Sequence, residues 1–306
     1  WTPSIGATAV NAILRDDLAQ WLVGQPADPS IWQTAWAHIH EAGGGGVTTI
    51  ALAGVDLALW DLRLRERRMP LASALGRKHA SLPVYGSGVN LHYSLDELVA
   101  QATRWRAAGY GGVKIKVGKP ELAEDIERVG AVREAIGPNV RLMIDANQRW
   151  DLNSAIRSVA ALEPFGLDWI EEPLRSDDTR GYRALRGAIN VPIALGENVH
   201  TVHRFRDLVD ADAIDVLQPN VIRVGGITPF LSIVELAREA NLQLAPHLLP
   251  ELSAQVAFGL PEESWIEDVE DAGFAALGAL TQPSGVEVVD GRAVGGNELG
   301  LGIRFA

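Results

Sequence analysis

The chain has 306 residues, with 27 Lys plus Arg against 39 Asp plus Glu and a formal net charge of −12. An acidic balance of that size lacks the basic footprint that nucleic acids and anionic membranes require, so neither is expected as a partner. Cysteine is absent, which removes disulfides, thiolate metal sites and cysteine nucleophiles, while 47% hydrophobic and 22% charged residues suit a globular chain with a large core.

The length suits about two domains or one α/β barrel. No apolar run approaches the roughly 18 residues of a membrane span, no signal peptide is visible, and a cytoplasmic location is expected.

Residues 1–80 are rich in helix and loop signals. Trp21, Trp32 and Trp36 are scattered through them, and the tetraglycine Gly43–Gly46 marks a flexible turn. A long apolar helix follows from about Thr48 to Arg67, stopped by Pro70. From about Leu82 short apolar runs alternate with amphipathic stretches. The runs are Leu82–Tyr85, Gly112–Val117, Val140–Ile144, Leu167–Ile170, Val191–Leu195, Ala213–Leu217, Asn241–Ala245 and Ser264–Ile266. They read as strands buried on both faces. Ser94 to Glu97 forms a capping box, Pro120 opens the next helix, and Thr228-Pro229 reads as an N-cap with a proline at the first helical position. Strand–helix units of this size and number predict a parallel α/β barrel, with a doubly wound open sheet as the alternative. The Gly-rich tail, about 283–306, reads as short strands and turns returning to the N-terminal region. The expected division is a capping domain over 1–80 with 283–306, and a barrel over 81–282.

In such a barrel the active site lies where the strands end. The second run ends in Lys114-Ile-Lys116, the third in Asp145-Ala-Asn147, the fourth in Glu171-Glu-Pro173 and the fifth in Glu197-Asn198. Gln218-Pro-Asn220 follows the sixth, Pro246-His247 the seventh, and Glu267 the eighth. Asp145, Glu171 and Glu197 lie on consecutive strands about 4.8 Å apart. Such carboxylates repel unless protonated or bridged by a cation. Oxygen-only ligands favour a hard divalent ion such as Mg²⁺. Glu172, next to Glu171, should point the other way.

Lys114 and Lys116 face one side of their strand. At a barrel mouth, partial burial and a neighbouring cation would lower a lysine pKa and make it a general base. His247 is the one histidine at a strand end. With Lys116 and His247 flanking a metal that holds a substrate carboxylate, the adjacent C–H becomes acidic because the metal stabilises the enediolate. One residue removes the proton; the other protonates the opposite face or a leaving hydroxyl.

The ordered set Lys-x-Lys, Asp-x-Asn, Glu-Glu-Pro, Gly-Glu-Asn, Val-Gly-Gly, Pro-His and Trp-x-Glu resembles the mandelate racemase subgroup of the enolase superfamily, and among its members the acid-sugar dehydratases most. The resemblance implies a modified (β/α)7β barrel under an α+β cap, with Asp145, Glu171 and Glu197 binding Mg²⁺ and Lys116 as base. It implies Lys114 near the substrate carboxylate, Asn147 as a substrate hydrogen-bonding residue, His247 as the opposite acid/base and Glu267 as partner of a substrate carboxylate oxygen. A sugar-acid substrate and a homo-oligomer, dimer or octamer, are expected by the same analogy.

Two departures stand out. Asn220 replaces the Asp that usually orients the histidine, so His247 should be less readily protonated than in the family pattern, and Lys116 becomes the preferred base. The family cap opens with several strands, whereas here the sequence starts near Trp1-Thr-Pro in what reads as the cap's middle, so a cap incomplete at its N-terminus is expected. The expected reaction is dehydration of a sugar acid to a 2-keto-3-deoxy product. A 2-hydroxy-acid racemase or epimerase is the alternative, followed by a cycloisomerase, a dipeptide epimerase or a non-catalytic ligand-binding relative.

Overall fold

A computed structural model describes residues 6–306; the Trp1-Thr-Pro start lies outside the described residues. The described N-terminal part is helical. α1 (Ala7–Ala12) runs through a π-helical stretch, Ile13–Leu18, into α2 (Ala19–Leu22). α3 (Trp32–Ile39) and the 20-residue α4 (Val47–Glu66) follow, then the short α5 (Leu71–Ala74). Val10, Leu18, Ala35, Ile39, Ile50, Leu52 and Val55 form one apolar cluster, with Trp21, Trp32 and Trp36 packed around it. The tryptophans of the first half thus build a core of their own, apart from the main one.

Eight parallel strands follow: β1 (Ser81–Ser87), β2 (Gly112–Lys116), β3 (Arg141–Asp145), β4 (Leu167–Glu171), β5 (Ile193–Leu195), β6 (Val216–Leu217), β7 (Gln243–Leu244) and β8 (Ile266–Val269). Every expected run contributes a strand. Between them lie α6 (Leu95–Ala107), α7 (Leu122–Ile136), α8 (Leu152–Leu162), α9 (Thr179–Arg186), α10 (Val202–Asp210), α11 (Ile227–Glu239) and α12 (Pro250–Ala257). The sheet runs β7-β6-β5-β4-β3-β2-β1, and β8 pairs with β1. Strands that stay in chain order round to β8 rule out a doubly wound sheet, whose order reverses at a switch point. The β7–β8 seam is closed by a side chain: the Leu248 N–H donates to Glu267 Oε2 at 2.9 Å. This is the (β/α)7β barrel.

Two strands complete the sheet from the tail. β9 (Val286–Val289) and β10 (Arg292–Gly295) form a hairpin, and β10 pairs antiparallel with the start of β1. Beyond it the chain returns to α4, where the Leu301 N–H donates to Asp61 at 2.8 Å.

The Ser94 capping box forms as expected, with Ser94 and Glu97 each accepting the other's backbone N–H. Thr228 does not cap its helix. α11 starts two residues before Pro229, at Ile227, and the carboxylate of Asp56 in α4 accepts the Thr228 N–H at 3.0 Å. The cap comes from another layer of the molecule, which local sequence spacing cannot show.

Candidate active site

Strand alternation builds the site. Tyr85, Met143, Trp169, Ala194, Val216 and Ala245 form an apolar floor inside the barrel, with Tyr85 and Trp169 packed edge to face at 5.7 Å. Two residues further along, the same inward face carries Asp145 after Met143 and Glu171 after Trp169. Val113, Ile115 and Val117 point outward into the core under the helices. The valines and isoleucine pack there, which leaves Lys114 and Lys116 facing the barrel axis.

Lys114 is 1% exposed and bridges Glu171 and Glu267, at 2.6 Å from each. Gln218 donates to the same Glu171 oxygen at 2.7 Å. Lys116 pairs with Asp145 and keeps 14% of its side chain exposed. The backbone N–H of Lys116 is held by Asn90 Oδ1 at 2.9 Å. Asn147, exposed at the mouth, donates its N–H to Asp145 Oδ1 at 2.7 Å. The two lysines differ in access, so Lys116 alone of the pair can meet a substrate; Lys114 is sealed between two acids.

On the other side His247 Nε2 lies 2.5 Å from Glu197 and 3.7 Å from Glu267. Asn220 Nδ2 lies 3.0 Å from the other ring nitrogen, Nδ1. The Asn220 carbonyl is occupied: it accepts the N–H groups of Ile222 and Arg223 at 3.0 and 3.1 Å. The amide NH₂ therefore faces the ring, so that when the ring is neutral its proton sits on Nε2, towards the acids.

Burial raises Glu171 to about 7, reinforced by Asp145, Glu267 and Glu197 and opposed by Lys114. Burial likewise raises Glu172 to about 8, with Glu197 and Asp145 adding to it. Glu267 moves the other way, to about 2: burial opposes ionisation, but Lys114 and His247 outweigh it. Glu197 is held well below its usual range, because His247, Lys116 and Arg223 overcome burial.

Burial does not decide the charge of either basic residue. Burial lowers Lys116, yet Asp145 in direct contact outweighs it and the pKa is raised. His247 is also raised, because Glu197 and Glu267 outweigh burial. The negative charge that Asn220 does not supply comes from the opposite edge of the ring.

The donor set fits a divalent cation. Of Asp145, Glu171, Glu172, Glu197 and Glu267, all but Glu172 directly meet one of three basic side chains, Lys114, Lys116 and His247, while Glu172 is held by the amides of Gln148 and Asn198. Full ionisation leaves two negative charges in that set, which one divalent ion balances. Glu171 Oε1 is buried without a hydrogen-bond partner, a ligand atom left over. Ligand atoms of Glu171, Glu197 and His247 lie within 4.8 Å of one another. Asp145 stands outside that group, engaged by Lys116 and Asn147.

Glu172 does not follow strand alternation. β4 ends at Glu171, and Glu172 turns into the left-handed region with φ 40°. It accepts from Gln148 at 3.0 Å and from Asn198 at 2.8 Å. Both oxygens of Glu267 are engaged by this chain's own groups, Lys114 and the Leu248 N–H, so it is an anchor for Lys114. Sequence reasoning gave no role to Asn90, Gln148, Asn198 or Gln218. Gln218 and Asn198 carried a signal, an amide at a strand end; Asn90 lies three residues past β1 and carried none.

Residues 97–306 match the enolase C-terminal domain-like family, and residues 2–76 match the mandelate racemase / muconate lactonizing enzyme N-terminal domain. Among curated proteins, the chain is 37% identical to a 3,6-anhydro-alpha-L-galactonate cycloisomerase of Streptomyces coelicolor, over 94% of this chain and 79% of that one. It is 42% identical to the L-talarate/galactarate dehydratase of Salmonella typhimurium, over 74% of this chain and 58% of that one. Two solved structures superpose closely. A Streptomyces coelicolor racemase with bound magnesium gives a TM-score of 0.92 at 35% identity, covering 98% of this chain and 82% of that one. An L-talarate dehydratase from a Polaromonas species, complexed with Mg and L-glucarate, gives 0.89 at 39% identity, covering 100% and 84%. A barrel that brings two lysines, a histidine and a row of carboxylates to one mouth, matched over nearly the whole chain, places this protein in the mandelate racemase/muconate lactonizing enzyme family of the enolase superfamily.

Proposed function

We propose that the protein is a Mg²⁺-dependent acid-sugar dehydratase, a hydro-lyase acting on the carbon α to a carboxylate. The observation that carries this reading is the bracketing of the carboxylate row by two different proton carriers, Lys116 on Asp145 and His247 on Glu197. An elimination needs that asymmetry: a base for the α-proton and an acid for the hydroxyl.

Asp145, Glu171 and Glu197 would hold the metal. When bound, Mg²⁺ would supply the balancing charge and stabilise the negative charge that develops on the substrate carboxylate. With a cation among the carboxylates to offset the hold of Asp145, Lys116 would be deprotonated, and its neutral amine takes the α-proton. The electron pair of that C–H bond forms the new carbon–carbon double bond as the β C–O bond breaks. Protonated His247 gives its Nε2 proton to the departing hydroxyl, which leaves as water. The resulting enol tautomerises to a 2-keto-3-deoxy acid. Lys114 does not touch the substrate in this scheme; with Glu267 it fixes Glu171. Asn147, beside Asp145 at the mouth, is positioned to bond a substrate hydroxyl. The described N-terminal residues, 6–80, would cap the barrel and contribute to substrate choice.

A cycloisomerase is the second reading. The similarity to the Streptomyces coelicolor cycloisomerase, which spans 94% of this chain, favours it, and it begins with the same proton transfer chemistry. Proton NMR in D₂O with a panel of mono- and diacid sugars and lactones, with and without Mg²⁺, separates the readings. A Mg²⁺-dependent 2-keto-3-deoxy product supports the dehydratase. An isomeric product with no loss of water supports cycloisomerisation. Deuterium entering Cα with the skeleton retained supports racemisation or epimerisation.

A further inference from the structure

The Arg223-Val-Gly-Gly226 segment takes no part in the scheme above, yet it is tied both to the N-terminal helices and to the site. Trp32 in α3 donates its indole N–H to the Gly225 carbonyl at 2.8 Å. Asp56 in α4 accepts from both the backbone and the hydroxyl of Thr228, and the indole of Trp60 donates to that hydroxyl at 3.0 Å. Gly225 and Gly226 have φ of 102° and 111°, a region that favours glycine. A side chain at either would also meet the N-terminal helices: a Cβ on Gly225 would lie 2.9 Å from the Trp32 ring, and one on Gly226 would collide with Asp56. The two glycines are where the helical layer reaches the barrel loop.

The same loop holds two catalytic elements from its other end. The N–H groups of Ile222 and Arg223 fix the Asn220 carbonyl, so that its amide meets His247. Arg223 donates to the Glu197 carbonyl at 3.1 Å and to Asn198, which in turn binds Glu197 and Glu172. We infer that Trp32 and Asp56 are positioning residues: through the Val224–Gly226 turn they hold Asn220 and Arg223, and so set the ring of His247 and the loop that carries Glu197. The inference rests on the role proposed for His247. Lys116, held by Asp145 and Asn90, is tied to the opposite side and is not governed by this clamp.

The test compares Trp32→Phe, which keeps a ring and removes the donor, with Asp56→Ala and Asp56→Asn. Trp36→Phe, in the same helical cluster, whose indole packs on His40 and does not share the Trp32 bond to Gly225, is the control. Hydrogen exchange of segment 220–226 should quicken about fivefold in Trp32→Phe and Asp56→Ala. Asp56→Asn, which keeps an acceptor, should restore protection, and Trp36→Phe should leave it unchanged. With galactarate as probe, Trp32→Phe should lose about tenfold in kcat with KM within about twofold. Deuterium incorporation at Cα, which depends on Lys116, should fall less than product formation. Unchanged exchange in 220–226 overturns the inference, as does the same loosening in Trp36→Phe, or a rise in KM with kcat intact. If the wild-type enzyme turns over no sugar acid, the dehydratase reading fails by itself, and the exchange measurement still decides whether the clamp exists.

Discussion

Asn220 presents its amide NH₂, not an oxygen, to Nδ1 of His247 at 3.0 Å. Its own oxygen is committed to two backbone N–H groups of the following turn. A protonated ring carries hydrogen on both nitrogens, so protonating His247 forces two donors together unless the Asn220 amide turns over. Glu197 and Glu267 pull the ring towards protonation, and Asn220 resists it. Asn220→Asp removes the conflict, since a carboxylate can accept from Nδ1 and still hold the turn. In that variant the His247 pKa should rise by about one unit or more, followed by NMR titration of its ring protons. No rise would mean that Asn220 already turns freely and does not limit the charge on the ring.

Lys116 and Lys114 should separate cleanly by mutation. Lys116→Ala removes the exposed base and should cost about a thousandfold or more in kcat, while Mg²⁺-dependent ligand binding by calorimetry persists. Lys114→Met leaves Glu171 and Glu267 buried without their cation. It should destabilise the fold by about 3–5 kcal/mol, read from urea unfolding. Equal losses of stability in the two variants would contradict the assignment of Lys114 as the structural partner.

The barrel and its mouth were legible because strand ends are positional. A buried parallel strand must be apolar until it emerges, so the first ionisable side chain past each run marks the mouth; Asp145, Glu171 and Glu197 were found that way. What stayed hidden depends on tertiary contact. Lys114 and Lys116 are the same residue type two positions apart, and only the placement of Glu267 on β8 separates a sealed lysine from an accessible one. Glu172 escaped the alternation rule because it lies just past the last residue of β4 and its backbone turns left-handed there. The capping of α11 by Asp56 joins residues 172 positions apart, a distance over which sequence spacing carries no signal.

Metal binding should release protons. Glu171 titrates near 7 and must be ionised to ligate, so below that pH an incoming cation has to displace a proton. Mg²⁺ affinity should therefore fall as pH drops below about 7, by up to about tenfold per unit. Calorimetry at about pH 8 and about pH 6, in buffers of different ionisation enthalpy, reports both the affinity and the protons released. At a Mg²⁺ concentration of about one hundred times Kd the fold should gain about 2.7 kcal/mol, lost on adding a chelator. An affinity flat across that interval would show that Glu171 is already ionised or does not ligate.

Asp56, outside the carboxylate row, gives a second pH signature. It is 2% exposed, and burial raises its pKa to about 6 despite the hydrogen bonds from Thr228 and Ile227. The folded state thus holds this proton more tightly than the unfolded chain, whose Asp titrates near about 3.9. Between those values the folded state binds more protons, so stability falls as pH rises from about 4 to about 6 and then levels off. A neutral amide suffers no such loss. Asp56→Asn should therefore gain stability relative to the wild type over that interval, by at most about 3 kcal/mol, seen as a urea midpoint difference that grows with pH and then stays constant. A difference independent of pH would place the Asp56 pKa in the ordinary carboxylate range and make its three hydrogen bonds, not its burial, the dominant influence.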